Sequence, residues 1–290
     1  MSQGYEALRH GAAWMDLSAR GRIVARGRDR ARLLHNITSN EVKKMTPGMS
    51  AYAFLLSPQG RIQADLNLLC LADRFLIDTE PELREKVLQH IKRFIVADQV
   101  ELEDITAASA AIAVEGPGAD RIPAPGGGAT IAPFSLTGQP GYRIYCEAAQ
   151  KPEIIARLEA AGARPATEQD TRVVRIENAK PRYGEDIRET SLVQETQQLH
   201  AVSFTKGCYI GQEIVERVRA QGHVNKKLVR VEIEGAEPVA PGTRLTAAGA
   251  DAGEVTSSVY SPAAGKVVAL AIVRTQFAEP GTLLDSAKVS

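Results

Sequence analysis

The chain has 290 residues, with 35 Lys plus Arg against 35 Asp plus Glu and a formal net charge of zero. That balance excludes a global field that would drive non-specific binding to nucleic acid or to a membrane surface. Hydrophobic residues at 44% and charged residues at 24% exclude a disordered or fibrous chain, and the length predicts about two compact domains, or three small ones.

No apolar stretch approaches the ~20 residues that span a bilayer. The longest, residues 263–273, is interrupted by Gly265 and Lys266. Residues 1–16 lack a basic start followed by an apolar run and a small-residue cleavage site, so a cytoplasmic protein without membrane association is expected. Cys70, Cys146 and Cys208 are widely spaced and form no CxxC pair, which predicts free thiols rather than a disulfide framework or a zinc ribbon. The five histidines are scattered, so no metal site is expected, and the sequence carries no Walker A, no HExxH and no GxGxxG after a strand.

In chain order, residues 18–24 read as a strand, and Leu33, Leu34 and Ile37 at helical spacing mark a helix after it. Residues 51–56 and 62–71 flank Ser57-Pro58-Gln59-Gly60, which suits a type I turn and predicts a hairpin. A strand at residues 75–78 leads into Thr79-Glu80-Pro81-Glu82, a capping-box pattern. Leu83, Val87, Leu88, Ile91 and Phe94 then form one helical stripe that should pack on a sheet. Strands follow at 100–105 and 111–114, a Pro- and Gly-rich loop at 117–128, a strand at 142–146 and a helix from Pro152 to Gly162. After Val224 the pattern shifts to alternation in Val229-Arg-Val-Glu-Ile-Glu and short apolar runs between Gly and Pro, the mark of a small β-barrel or sandwich. The resulting class is α+β, with the clearest domain boundary near residue 225.

The segment Lys206-Gly207-Cys208-Tyr209-Ile210-Gly211-Gln212-Glu213 places Cys208 just before a predicted helix, where free amides and the helix dipole favour a thiolate; the Lys206 ammonium adds to this if it faces the same way. On spacing alone, a cysteine filling a small apolar gap is the commoner reading. Cys70 and Cys146 read as strand or core residues.

The same segment resembles the KGCYxGQE signature of the YgfZ family of folate-binding proteins, within the glycine cleavage T-protein (aminomethyltransferase) superfamily. Asp16-Leu-Ser-Ala-Arg-Gly is similar to the opening strand of that superfamily, residues 34–42 to its first helix, residues 48–66 to its hairpin, and Gly253-Glu-Val-Thr-Ser-Ser with Ser261-Pro262 to its barrel motif. The resemblance implies two interleaved ferredoxin-like α+β subdomains over residues 1–224, a C-terminal β-barrel over 225–290, and a central folate-binding opening. It also implies that Cys208 is a functional thiol, with Lys206 beside it and Gly207, Tyr209, Gly211, Gln212 and Glu213 as motif residues.

Tyr183-Gly184-Glu185-Asp186-Ile187 followed by Glu195 resembles the T-protein segment whose last Glu holds the pterin ring; a carboxylate can accept two parallel hydrogen bonds from the amino and ring N–H groups of a pterin. Leu192-Val193-Gln194 stands where T-proteins carry a Thr-Pro pair. Lys226 and Lys227 match a folate-contacting basic position. Arg20, Arg22, Arg26, Arg28, Arg30 and Arg32 recur at two-residue steps, a pattern that fits a solvated charged face better than a binder of a folate glutamate tail.

The implied cofactor is tetrahydrofolate or a one-carbon derivative. Three functions follow. The first is a folate-binding protein that supports iron–sulfur cluster assembly or repair, with iron–sulfur client or assembly proteins as partners, tRNA-modifying enzymes among them, and no direct nucleic-acid binding. The second is an aminomethyltransferase, which needs a carboxylate at the reacting edge of the folate. T-proteins draw it from a segment that here reads Ile77-Asp78-Thr79-Glu80, without a register that assigns Asp78. The third is a folate-free interaction module that keeps the fold.

Overall fold

In the computed structural model, which describes residues 1–290, the chain crosses between two five-stranded sheets before it enters a third. It begins with α1 (Gln3–His10) and β1 (Ala13–Asp16), then leaves for a second sheet made of β2 (Gly21–Arg26), β3 (Ser50–Leu56), β4 (Ile62–Cys70), β5 (Arg74–Thr79) and β6 (Glu101–Asp104). It returns to the first sheet with β7 (Ser109–Glu115), β8 (Thr130–Ala132), β9 (Gly141–Glu147) and β10 (Arg164–Pro165). The first sheet runs β10-β1-β7-β9-β8 and the second β3-β4-β5-β2-β6. β1 pairs with β7 from Ala13 opposite Glu115 to Asp16 opposite Ile112, so the first sheet closes only after the second has been built. The two α+β units are interleaved.

Helices α2 (Arg30–Ile37) and α3 (Arg84–Arg93) cover the second sheet, and α4 (Lys151–Ala160) and α5 (Glu168–Glu177) belong to the first. After α6 (Gln212–Gln221) come β11 (Lys226–Ile233), β12 (Arg244–Ala247), β13 (Ala250–Ser261), β14 (Lys266–Arg274), β15 (Leu283–Leu284) and β16 (Ala287–Val289) in the order β12-β13-β14-β11-β16-β15. The Asp285 amide donates to the Thr246 carbonyl at 2.8 Å, bringing the two end strands together and nearly closing a six-stranded barrel.

Strand periodicity decides which residues face the site. On β4, Ile62, Ala64, Leu66, Leu68 and Cys70 point into one core with α2 and α3, so Gln63, Asp65, Asn67 and Leu69 must point the other way. Leu69 on that face joins a second core, in which residues of both sheets, of α1 and α5 and of the barrel meet: Leu8, Val24, Leu76, Val174, Val259 and Leu270 are all part of it. Burying each such aliphatic chain contributes roughly 1.5–3 kcal/mol. This shared core holds the three bodies around a polar centre.

Several elements depart from the sequence reading. Residues 17–20 are a turn between β1 and β2 rather than part of a strand. The Thr79 hydroxyl forms no capping box; it donates to the Asp65 carbonyl at 2.9 Å, while Glu82 pairs with Arg182. Phe94 is 36% exposed and leaves the stripe that buries Leu83, Val87, Leu88 and Ile91. Arg20 and Arg22 are buried, not a solvated face; Arg22 donates to the carbonyls of Arg20, Ser18, Thr106 and Ser109 and stitches the β1–β2 turn to the β6–β7 connection.

Candidate functional site

At the junction of the bodies lies a pocket of about 320 Å³, at the lower end of the range for small-molecule sites. Its floor follows from the register of β4 and β5. Asn67 opposes Asp78 and Leu69 opposes Leu76, so the next residues outward on the same face are Asp65 and Glu80. Three carboxylates thus share one face of two adjacent strands, an arrangement that repels itself unless cations are supplied.

The cations come from elsewhere in the chain. Arg20, in the β1–β2 turn, bonds Asp78 at 2.7 Å and also Glu80. Arg143 on β9 bonds Asp78 at 2.9 Å, and Tyr145, two residues along the same face, donates to the other Asp78 oxygen at 2.9 Å. Arg182 reaches Glu80 at 3.1 Å. Burial opposes ionisation of Asp78, but Arg143 and Arg20 hold its carboxyl below the usual range. Asp78 is therefore a saturated structural anion joining the two sheets, not a group free to react.

Asp65 differs. Its Oδ2 accepts the Tyr52 hydroxyl at 3.0 Å, but its Oδ1 is buried with no partner. Burial first, and the neighbouring Glu80 charge second, push its carboxyl up to about 6. A carboxyl raised toward neutrality with one oxygen unpaired can hold or move a proton. The Arg143 Nε is also buried without a partner, so two of the residues that line the pocket each keep one polar atom unpaired.

One wall is set by the end of α5. Ala179 adopts φ +52°, the Lys180 amide donates to the Arg175 carbonyl at 2.7 Å, and the Ala179 amide to Ile176 at 3.1 Å, a Schellman-type turn normally given to glycine. It directs Lys180, Pro181 and Arg182 to the pocket. The Lys180 ammonium sits over the Tyr52 ring, 5.6 Å from its centre, and His200 stacks on the same ring at 5.5 Å. Behind this wall Asp186 accepts from Arg175 at 2.8 Å and from the hydroxyls of Thr256 and Ser257 on β13 at 2.6 and 2.7 Å, tying the barrel to the pocket.

The residues singled out from sequence lie apart from this pocket. Cys208 is exposed in a loop, and α6 begins only at Gln212, with Gly211 at its N-cap; the thiol thus sits outside the first helical turn. Lys206 does not face it. Its ammonium is buried, donates to the carbonyls of His35, Thr38 and Asn40 at the end of α2, and rests 4.9 Å from the Tyr209 ring centre. Burial pulls it down to about 8, and three carbonyl acceptors keep it protonated at neutral pH. Gly207 is exposed, and the buried Tyr209 hydroxyl has no partner. Gly211 has φ +82°, and a Cβ there would stand 2.6 Å from the Ser57 carbonyl, so the motif glycine lets α6 dock on the β3–β4 turn. Gln212 and Glu213 form the first turn of α6, Glu213 facing solvent.

Tyr183 is buried and donates to the Gln63 carbonyl at 2.9 Å. Glu195 is buried in a short 3₁₀ turn, where its carboxylate accepts the Leu192 amide at 2.9 Å. Lys226 and Lys227 lie on β11, Lys227 3.8 Å from Glu279. None of these four lines the central pocket.

The pocket residues Asp65, Glu80, Arg143, Lys180 and Arg182 escaped the sequence reading as a site, and Arg20, weighed there for a folate tail, reads as part of a solvated face. One signal was available: polar residues spaced by two in otherwise apolar strands, Asp65-Leu-Asn67 and Asp78-Thr-Glu80, which put three acids and an amide on one face of a hairpin and its neighbour.

Residues 1–125 match the family model described as the GCVT N-terminal domain, and residues 226–287 the one described as the glycine cleavage T-protein C-terminal barrel domain. An aminomethyltransferase from Rubrobacter xylanophilus is 30% identical over 290 residues, covering 93% of this chain and 78% of that protein. One from Nostoc sp. is 26% identical and covers 98% of this chain and 83% of its own length. The solved glycine cleavage system aminomethyltransferase T from Bartonella henselae superposes with a TM-score of 0.88 at 18% identity, over 99% of this chain and 86% of that one, a likeness of fold. With the interleaved sheets, the nearly closed barrel and both family domains in place, the chain belongs to the glycine cleavage T-protein family.

Proposed function

We propose that the central pocket binds tetrahydrofolate or a one-carbon derivative and that the protein is a folate-dependent aminomethyltransferase, with Asp65 as its proton-handling group. The observation that carries this reading is the Asp65 carboxyl in the lining of the central pocket, buried and with one oxygen left without a hydrogen-bond partner. The relatives named aminomethyltransferase favour it over the iron–sulfur accessory role. Bound tetrahydrofolate would supply a nucleophilic nitrogen that takes the one-carbon unit from a carrier-bound aminomethyl group as ammonia leaves. Asp65 holds or moves the proton at that edge, Tyr52 orients its carboxyl through Oδ2, and Arg20 with Arg143 neutralises the acids beneath.

A second reading keeps one specific support. Cys208 is the only exposed cysteine, and its neighbours Lys206, Tyr209 and Gly211 fix the loop that presents it. In that reading the KGCYxGQE resemblance supports a YgfZ-type protein, acting on iron–sulfur client or assembly proteins through the thiol. Calorimetric titration with tetrahydrofolate, followed by transfer from an aminomethyl-loaded carrier protein, separates the two. Binding with transfer that Asp65→Asn abolishes is the expected outcome. Binding without transfer, together with Cys208→Ser losing support of client enzymes, would favour the accessory role, and no binding would leave an interaction module.

A further inference from the structure

The cations around the central pocket are unequal. Arg20, Arg143, Arg175 and Arg182 each have a carboxylate partner. Lys180 has no carboxylate and no hydrogen-bond acceptor; its ammonium has only the face of Tyr52. A cation over a ring gains about 0.5–2 kcal/mol, which offsets desolvation in part and leaves the ammonium's donors without acceptors. The nearby acids Glu115 and Asp65 act on Lys180 through charge but form no salt bridge with it. The Glu115 carboxylate is buried and accepts from Ser135, the Leu136 and Thr137 amides and the Thr137 hydroxyl, and Asp65 is held by Tyr52. His200 at the rim, held below its usual range by burial and by Lys180, is neutral at pH 7 and brings no counter-charge.

The chain also spends strain to keep Lys180 there. Ala179 carries the left-handed φ of +52° in place of a glycine, a conformation that costs an L-residue roughly 1–2 kcal/mol. The basic positions anticipated for a folate tail do not compete for this task, since Lys226 and Lys227 lie outside the pocket and Arg20 and Arg22 are consumed by internal partners.

We infer that Lys180 is a specificity-determining residue of the central pocket, pairing its ammonium with a carboxylate of the ligand so that the site selects a carboxylate-bearing folate over a bare reduced pterin. This rests on the central pocket being the folate site. An ammonium–carboxylate contact of this kind contributes about 1.5–3 kcal/mol, roughly 10- to 150-fold in affinity.

The test is calorimetric titration of the full chain and of Lys180→Gln and Lys180→Arg with tetrahydrofolate and, separately, with 6-methyltetrahydropterin, which lacks the carboxylates. Lys180→Gln should weaken tetrahydrofolate at least roughly tenfold and leave the pterin unchanged, while Lys180→Arg restores most of the loss. Thermal unfolding of the variants controls for folding. Equal weakening of both ligands, or no effect on tetrahydrofolate, overturns the inference while the folate reading stands. If the unmodified protein binds neither ligand, the folate reading fails and the inference falls with it.

Discussion

The central pocket and the 206–213 segment each set a lysine over a tyrosine ring, and they use it in opposite ways. Lys206 lies over Tyr209 with three carbonyls at the end of α2 around its ammonium, so every donor is spent on the fold. Lys180 lies over Tyr52 with none. The same division separates the acids, since Asp78 is saturated by two arginines, a tyrosine and Asn67, whereas one Asp65 oxygen has no partner. At the central pocket the completed polar groups hold the structure, and Asp65 and Lys180 are left incomplete.

The largest effect that would sharpen this division is catalytic. Asp65→Asn should lower aminomethyl transfer by ~10²- to 10⁴-fold, the usual worth of a general acid or base, with tetrahydrofolate still bound; an undiminished rate would remove Asp65 from the chemistry. Next, Arg143→Met strips a partner from a buried pair and should destabilise the chain by about 3–5 kcal/mol in a denaturant titration. A loss below ~1 kcal/mol would mean that Asp78 is not the saturated anion described here.

The pH dependence has a definite sign. Asp65 titrates at about 6 in the folded chain and at about 3.9 when unfolded, so between those values the folded state holds the additional proton. Its contribution to stability is therefore greatest below about pH 4 and falls as pH rises to about 6, by on the order of 3 kcal/mol. Asp78, Asp104 and Asp170, all held low, act oppositely at more acidic pH. Comparing the unmodified chain with Asp65→Asn across pH 4–7 isolates the Asp65 share; parallel curves would contradict the raised value.

A smaller effect distinguishes the lysines. Lys206→Met should cost about 2 kcal/mol by leaving helix-end carbonyls without donors, whereas Cys208→Ser two residues away should stay within ~0.5 kcal/mol, as exposed positions do. The smallest effect concerns the strained turn. Ala179→Gly should stabilise by up to ~1 kcal/mol through relief of the left-handed conformation, and destabilisation would mean that the alanine methyl packs more than it strains.

Much of the framework was legible because local patterns carried it. The β3–β4 hairpin followed from its turn residues, α3 from its apolar stripe and the barrel from alternation. α1, α5 and β1 escaped. α1 is eight residues long, and β1 has four and draws its partners from β7 and β10, about a hundred residues or more away. α5 had a readable signal in Thr167, whose hydroxyl accepts the Asp170 amide while Asp170 reaches back to the Thr167 amide, a reciprocal cap of the T-x-x-D kind. The pocket could not be read from any one segment, because Arg20, Asp65, Arg143 and Lys180 come from a turn, two sheets and a helix end. The 206–213 segment was readable as a motif, yet Lys206, Tyr209 and Gly211 turn out to serve helix capping and close docking.

Asp186 links these bodies more tightly than their separate sheets imply. One carboxylate oxygen belongs to the barrel through Thr256 and Ser257, and the other to the pocket wall through Arg175 and the Arg182 amide. The barrel thereby acts as the second jaw of a clamp on residues 175–182, so a disturbance that loosens its seating is transmitted to the arginine and lysine edge of the pocket, with no substitution in the pocket itself.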